Sequence, residues 1–256
     1  MLHHLSVRSM STIPQHLAAI SHFHAKSYVP SPSTSLSVTR ALEGAKRFFG
    51  KPSVQRKIIS PDMLRSFSNL ITGTISFPRL RTIWRVFIEF FGLLRFNEVA
   101  ALTFNDIIWT DNGMDIIISR SKTDQHSKGA WVSISRNKDQ KICPVKLTQL
   151  YLRRLNYTSG FLMPAMSGNK PDPHTPLRYN TALSDFKSLL KAIHIDPSGY
   201  GEHSGRRGGT TAAASAGASI LELMLQGRWS TEEMPRLYTD NAKKVRREFA
   251  AILSKI

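Results

Sequence analysis

One stretch of this chain abandons the helical spacing of apolar residues, and it limits the folds open to everything around it. Ile107-Ile108-Trp109 and Met114-Asp115-Ile116-Ile117-Ile118 flank Asp111-Asn112-Gly113. β-Branched and aromatic residues on both sides of Asn-Gly read as two strands joined by a tight turn. Ala130-Trp131-Val132-Ser133-Ile134 supplies a third strand after the polar loop Ser121 to Gly129. Elsewhere the apolar residues keep a period near 3.6. The expected fold is therefore mainly α with a small antiparallel β-sheet, an α+β arrangement that holds Lys122 at the sheet edge.

The helices announce themselves by their ends. Residues 12 to 27 begin with Ser11 or Thr12 as cap and Pro14 in the first turn, and a second helix runs from Leu36 to Phe49. Ser60-Pro61-Asp62 combines a capping serine, proline at the first helical position and an acid at the positive end of the dipole. The next helix, Arg79 to Gly92, carries Ile83, Trp84, Phe87, Ile88, Phe90 and Phe91 as core residues. After it, Leu94, Val99 and Leu102 face inward while Arg95 and Glu98 stand one turn apart, read by themselves as a surface ion pair of little energetic weight. Further helices follow Pro144 to about Tyr157, Tyr179 to Ile193, and Glu202 to Ser215, where Gly217 stops the run. Ser230-Thr231-Glu232-Glu233 reads as a capping box opening a short helix that bears Tyr238, and a last basic helix starts at Asn241. A Pro/Ser-rich break at residues 29–33 and a basic, broken stretch from Gly50 to Lys57 divide the chain. Residues 1–55 form a small helical region with its linker, and 56–256 form the main domain. Two short helices make a poor independent core.

Charge narrows the partner. Lys and Arg number 35 against 18 Asp and Glu, a formal net charge of +17. Such an excess suits a polyanion, nucleic acid before an anionic membrane surface. No apolar run approaches the ~20 residues of a membrane span, and the N-terminus lacks a signal-peptide pattern. The single cysteine, Cys143, leaves no intrachain disulfide and no multi-cysteine zinc site. Neither a Gly-rich phosphate loop nor a clustered carboxylate set is present, which agrees with the chemistry implied by the resemblance given below, for which no metal or nucleotide cofactor is expected.

The chemistry gathers between His203 and Tyr238. His203 and Arg206, three residues apart, share a helical face and can address one ligand together. A guanidinium fork beside an imidazole suits a phosphate, and a tyrosine downstream offers an oxygen nucleophile. A lone His-x-x-Arg is common by chance, so the weight lies in the ordered set: Arg95 with Glu98, Lys122, His203 with Arg206, Trp229 and Tyr238. From Arg206 to Trp229 is 23 residues, and from Trp229 to Tyr238 is 9.

That ordered set, over residues 56 to about 256, resembles the catalytic domain of the tyrosine recombinase (phage integrase) family. There an Arg, a β-hairpin Lys, a His-x-x-Arg, a His or Trp, and a Tyr recur in this order. His-Ser-Gly-Arg-Arg-Gly-Gly and Gly-Arg-Trp look most like recombinases of eukaryotic mobile elements, the cryptons and tyrosine-recombinase retroelements. The resemblance implies that Tyr238 attacks a DNA phosphorus, that Arg95 and Arg206 hold its non-bridging oxygens, and that Lys122 protonates the leaving 5′-oxygen. It implies proton transfer at the tyrosine by His203, and packing or an indole N–H from Trp229. Glu98 would orient Arg95 or His203 from behind. The partner implied is double-stranded DNA, with assembly into a tetramer on paired sites, in the nucleus if the source is eukaryotic and otherwise in the cytoplasm. The N-terminal helices look like the end of the family's core-binding domain. The apolar face Val245, Phe249, Ile252, Leu253 would dock on a neighbouring protomer. Gly205 departs from the family's usual apolar residue, which should loosen the helix start. Two other functions fit the same residues: a type IB topoisomerase that nicks and reseals, and a domesticated or truncated remnant that only binds DNA.

Overall fold

The computed structural model describes residues 12–49, 56–119 and 129–239, with Leu237 and Thr239 described by their backbone alone. The chain divides into two compact units, Met1–Gln55 and Arg56–Ile256. In the first, α1 (Ile13–Lys26) and α2 (Leu36–Phe49) are joined through a 3-10 turn, Pro32–Thr34, whose Ser33 N–H donates to the Ser31 hydroxyl at 3.3 Å. Ala45 is the one buried residue among those described there, while Phe23 and Phe48 are 68% and 84% exposed.

The second unit is built around one helix. Ser60 caps α3 (Pro61–Asn69) by accepting from the Met63 N–H at 3.2 Å. Helix α4 (Phe77–Phe91) then runs through the interior, with every residue from Leu80 to Phe90 buried. A helix apolar on most of its circumference must be covered on all sides, and α6 (Pro144–Leu155), α7 (Tyr179–Ala192) and α8 (Ser204–Ser215) cover it. Trp84 fixes the α6 contact: its ring stacks on Tyr151 at 4.5 Å and its indole N–H donates to Thr148 Oγ1 at 3.0 Å. The charged residues of α4 are buried as well. Arg81 donates to Asp185 at 2.9 Å, and Arg85 lies against Glu202 and, at 3.4 Å, Glu89.

The period change yields the expected sheet: β1 (Ile107–Thr110), β2 (Gly113–Ile118) and β3 (Ala130–Ser135), antiparallel in that order. Met114, Ile116, Ile118, Val132 and Ile134 bury one face, while Ile108 and Trp131 stand 50% and 67% exposed on the other. The turn differs by one residue from the sequence reading. Thr110 pairs with Gly113, so Asp111 and Asn112 make the turn and the glycine belongs to β2. A Cβ on Gly113 would run into the Ile134 carbonyl of β3, so close backbone approach accounts for this glycine. A second antiparallel ribbon, β4 (Pro164–Ser167) with β5 (Lys170–Pro176), has no counterpart in the sequence reading. Pro171, Pro173 and Pro176 break a strand pattern, and only an edge ribbon tolerates them.

Three helices complete the unit: α5 (Phe96–Ala101), α9 (Ile220–Gly227) and α10 (Glu233–Thr239). A capping box opens α9, where Ser219 Oγ accepts from the Glu222 N–H at 3.2 Å and Glu222 accepts from the Ser219 N–H at 2.7 Å. The helix expected to open at Ser230 begins instead at Glu233, and Arg236 donates to Glu232 at 3.0 Å. The basic helix expected from Asn241 lies outside the described residues.

Candidate active site

Where α4 ends, the chain turns through Leu93 in the left-handed region, with φ of 49°, and buries it at 3% exposure. A non-glycine residue held there is uncommon and strained. The turn aims the Leu93 carbonyl at two guanidiniums: Arg206 Nη1 donates to it, and so does Arg228 Nη2 at 3.1 Å. One backbone oxygen thus ties the start of α8 to the end of α9.

Arg95 stands at the N-cap of α5. Glu98, one turn on, accepts from the Arg95 backbone N–H and from Arg95 Nη1, each at 2.8 Å. Its other partner is Arg228 Nη2 at 2.6 Å, and the carboxylate is only 2% exposed. The surface ion pair read from spacing alone is therefore a buried bridge between two arginines. Burial pushes the Glu98 carboxyl up, but Arg228, the Arg95 backbone N–H and the Arg95 charge outweigh it and hold the group below its usual range.

Arg228 was not among the candidates from the sequence. It caps α9 with φ of 57°, and Nη1 donates to the Gln226 carbonyl at 2.9 Å. The legible signal was its place: a helix of apolar pattern closing on Gly-Arg-Trp puts arginine in the left-handed cap position that glycine or asparagine usually fills. Its partners justify that conformation.

Arg206 is 5% exposed, with Nη2 donating to the Gly227 carbonyl and its guanidinium 4.4 Å from the centre of the Trp229 ring. Burial, then the charges of Arg95 and Arg228, bring its pKa down to about 9, against the opposing pull of Glu98 and Tyr238. Arg95, Arg206 and Arg228 surround one carboxylate, so three positive charges meet one negative and two positive charges remain in excess. An excess of guanidinium charge of this kind suits an anion.

Tyr238 comes from α10, half-buried, with its ring 6.0 Å from Trp229 and tilted by 32°. Arg207 approaches the same tyrosine, its guanidinium carbon 5.7 Å from the ring centre. Sequence reasoning passed over Arg207, which reads as one more basic residue. The structure thus links Arg95, Glu98, Arg206, Trp229 and Tyr238 in one cluster. His203 is the exposed N-cap of α8, with φ of −90° and ψ of 0°, rather than a residue inside the helix. Lys122 lies outside the described residues.

Glycines let α8 approach so closely. A Cβ on Gly205 would stand 2.9 Å from Glu89 Oε2, and those on Gly208 and Gly209 would overlap the carbonyls of Ile59 and Phe90. The expected loosening at Gly205 is therefore not its main effect, because the missing side chain makes room for a buried carboxyl. Glu89 is pushed up to about 7 by burial, with Arg85 pulling the other way. Among the described residues no group of three or more His, Cys, Asp or Glu side chains could hold a metal ion, and no helix is long and apolar enough to cross a membrane.

No family model matches the chain. It is 26% identical over 161 residues to the integrase/recombinase xerD homolog of Selenomonas ruminantium, covering 60% of this chain and 46% of that protein. It is 24% identical over 253 residues to the recombinase cre of Escherichia phage P1, covering 91% of this chain and 71% of that protein. The chain thus spans about half the length of the first relative, at 46%. Among solved structures, XerH site-specific recombinase in a post-cleavage complex with palindromic difH substrate aligns with a TM-score of 0.60 and 14% identity, covering 96% of this chain and 73% of that one. The Tn1549 transposon integrase in complex with circular intermediate DNA aligns at 0.60 and 18% identity, covering 94% and 79%. The fold is that of these enzymes, mostly helical with small antiparallel sheets, and sequence and fold together support a place in the tyrosine recombinase/integrase family.

Proposed function

We propose that this chain cuts and rejoins DNA strands through a covalent phosphotyrosyl intermediate, as in site-specific recombination or the integration of a mobile element. The observation that carries this reading is the arginine cluster, with two positive charges in excess, adjoining a tyrosine. A phosphodiester brings one negative charge, and attack at phosphorus raises it towards two. A cluster already short of negative charge favours that increase over the ground state.

Arg95 and Arg206 hold the two non-bridging oxygens. Arg228 donates to Glu98, Leu93 and Gln226 and keeps Glu98 in place, and Glu98 in turn orients Arg95. The Tyr238 oxygen forms a bond to phosphorus as its proton passes to His203. The bond from phosphorus to the 5′-oxygen breaks, and Lys122 supplies the proton that completes the 5′-hydroxyl. The phosphotyrosyl bond conserves the energy of the broken diester, so rejoining is the same step reversed with the 5′-hydroxyl of either strand. Trp229 packs between Arg206 and Tyr238.

Residues 1–55 act as a DNA-binding arm and 56–256 as the catalytic domain, with a tetramer on paired sites as the working assembly. Relatives named recombinase and integrase and neighbours solved on DNA support this reading. The affiliation with eukaryotic mobile elements, and the nuclear location it would bring, rests on His-Ser-Gly-Arg-Arg-Gly-Gly and Gly-Arg-Trp alone.

The test is a nicked suicide duplex in which the short fragment bearing the released 5′-hydroxyl diffuses away. Wild-type protein should accumulate a tyrosine-linked DNA adduct, and Tyr238→Phe should form none while binding DNA with nearly the same affinity, since the basic side chains supply most of it. Adducts that persist in the Phe variant would refute the assignment of Tyr238. Wild-type binding without any adduct would leave a DNA-binding protein. Nicking and resealing without strand exchange on two-site DNA would point to topoisomerase-like activity.

A further inference from the structure

Helix α8 carries two consecutive arginines, and the phosphate cradle uses only the first. Neighbouring positions on an α-helix are turned by about 100°, so the two side chains leave α8 in different directions. Arg206 faces the carbonyls of Leu93 and Gly227. Arg207 turns towards α10 instead, and its guanidinium carbon lies 5.7 Å from the centre of the Tyr238 ring. On the other side of the circuit, Arg206 covers Trp229 at 4.4 Å and Trp229 stands 6.0 Å from Tyr238. Two side chains of one helix therefore bracket an aromatic pair supplied by the end of α9 and by α10. Arg207 Nε is buried with no hydrogen-bond partner, which leaves part of this cation to be met by the aromatic ring.

We propose that Arg207 is a positioning residue for the nucleophile, pinning α10 through the ring of Tyr238 and sustaining negative charge on its oxygen as it attacks. The proposal rests on the phosphotyrosyl reading above. A cation near an aromatic face is attracted by the ring's electron density. That density rises as the phenol gives up its proton, so the attraction is stronger in the transition state than in the ground state.

In cleavage the bond from Tyr238 oxygen to phosphorus forms, its proton goes to His203, the bond from phosphorus to the 5′-oxygen breaks, and Lys122 protonates the 5′-oxygen. In rejoining the tyrosine oxygen is the leaving group and recovers its proton. The same oxygen carries partial negative charge in both directions. Arg207 therefore lowers one shared barrier and does not shift the balance between free and covalent DNA.

Two measurements on the full chain test this, with wild type, Arg207→Gln and Arg207→Lys compared. The first is cleavage and rejoining in single turnover at saturating DNA, with the equilibrium fraction of adduct. The second is hydrogen exchange of the backbone amides across residues 233–239 without DNA. Arg207→Gln should slow cleavage and rejoining equally, by about three- to thirtyfold, the span of cation–π contacts from exposed to desolvated settings. It should leave the adduct fraction unchanged and speed exchange in 233–239, with Arg207→Lys restoring most of both. Unchanged exchange in the Gln variant overturns the proposal, as does a loss confined to DNA affinity or one that alters the adduct fraction. If wild-type protein makes no adduct, the phosphotyrosyl reading fails, and exchange alone then decides whether Arg207 pins the helix.

Discussion

Two buried charge clusters meet helix α8, and they are biased in opposite directions. At its start, Arg85 lies between Glu89, at 3.4 Å, and Glu202, so two carboxyls share one guanidinium. In the same first turn, Arg206 joins Arg95 and Arg228 around the single carboxylate of Glu98. Buried charge imbalance is costly unless something neutralises it. The acidic cluster can do so from within, by keeping a proton on Glu89, whose carboxyl burial pushes up to about 7. The basic cluster has no such recourse short of deprotonating an arginine, and Arg206 is brought down only to about 9, chiefly by burial. On the proposed function, a DNA phosphate from outside completes it. One cluster can close its own charge, whereas the other keeps an excess of positive charge.

The comparison breaks most visibly at Glu98. Glu98→Ala should leave three guanidiniums facing one another and lower stability by about 3–5 kcal/mol, the scale for removing one partner of a buried ion pair. Adding sulfate or phosphate should recover more of the melting temperature in this variant than in wild type. A melting temperature indifferent to both the substitution and the anion would remove the basic cluster from consideration as a receptor.

The acidic cluster sharpens the contrast through pH. The fold raises the Glu89 pKa from 4.5 to about 7, so the native state holds a proton that the unfolded chain has released. The stability from this group is full below pH 4.5 and is lost as pH rises through 7, a decline of at most about 3 kcal/mol. Chemical unfolding followed across that window should show the decline in wild type and a flatter curve for Glu89→Gln. Identical curves would mean that Glu89 is ionised in the folded protein. The smallest expected effect is Gly205→Ala. Its Cβ would stand 2.9 Å from Glu89 Oε2, and crowding should exceed the helix propensity gained, for a net loss of about 1 kcal/mol. A Glu89→Ala background removes the Oε2 contact but keeps the Cβ, 3.0 Å away, so the loss should shrink there, and a loss that stays constant would place the strain outside the carboxyl.

The same contrast explains what could be read from the sequence. Apolar spacing identified α4 and the sheet, because burial follows side-chain type wherever a face is uniformly apolar. It could not show that Arg81, Arg85 and Glu89 are buried along with that helix, since charged residues within a helix normally mark the solvent side. Arg95, Glu98, Arg206, Trp229 and Tyr238 stood out because their order along the chain resembles a family pattern, and the structure brings them near one another, while their roles belong to the proposal. Arg228 and Arg207 did not, because their significance lies in partners 130 and 31 residues away in the chain. The β4–β5 ribbon was hidden by its prolines, and the hairpin turn was misplaced by a glycine that serves a neighbouring strand.

The anchor at Leu93 has a consequence of a different kind. Side-chain partners can be exchanged one codon at a time, but the oxygen that receives both Arg206 and Arg228 belongs to the peptide backbone and is present whatever residue is encoded there. Missense change at position 93 therefore alters the ease of the turn without deleting the acceptor. A change in length can remove it: one codon gained or lost between Phe91 and Arg95 would re-aim the carbonyl and cut both arginines loose together. This short connection should tolerate substitution far better than any insertion or deletion.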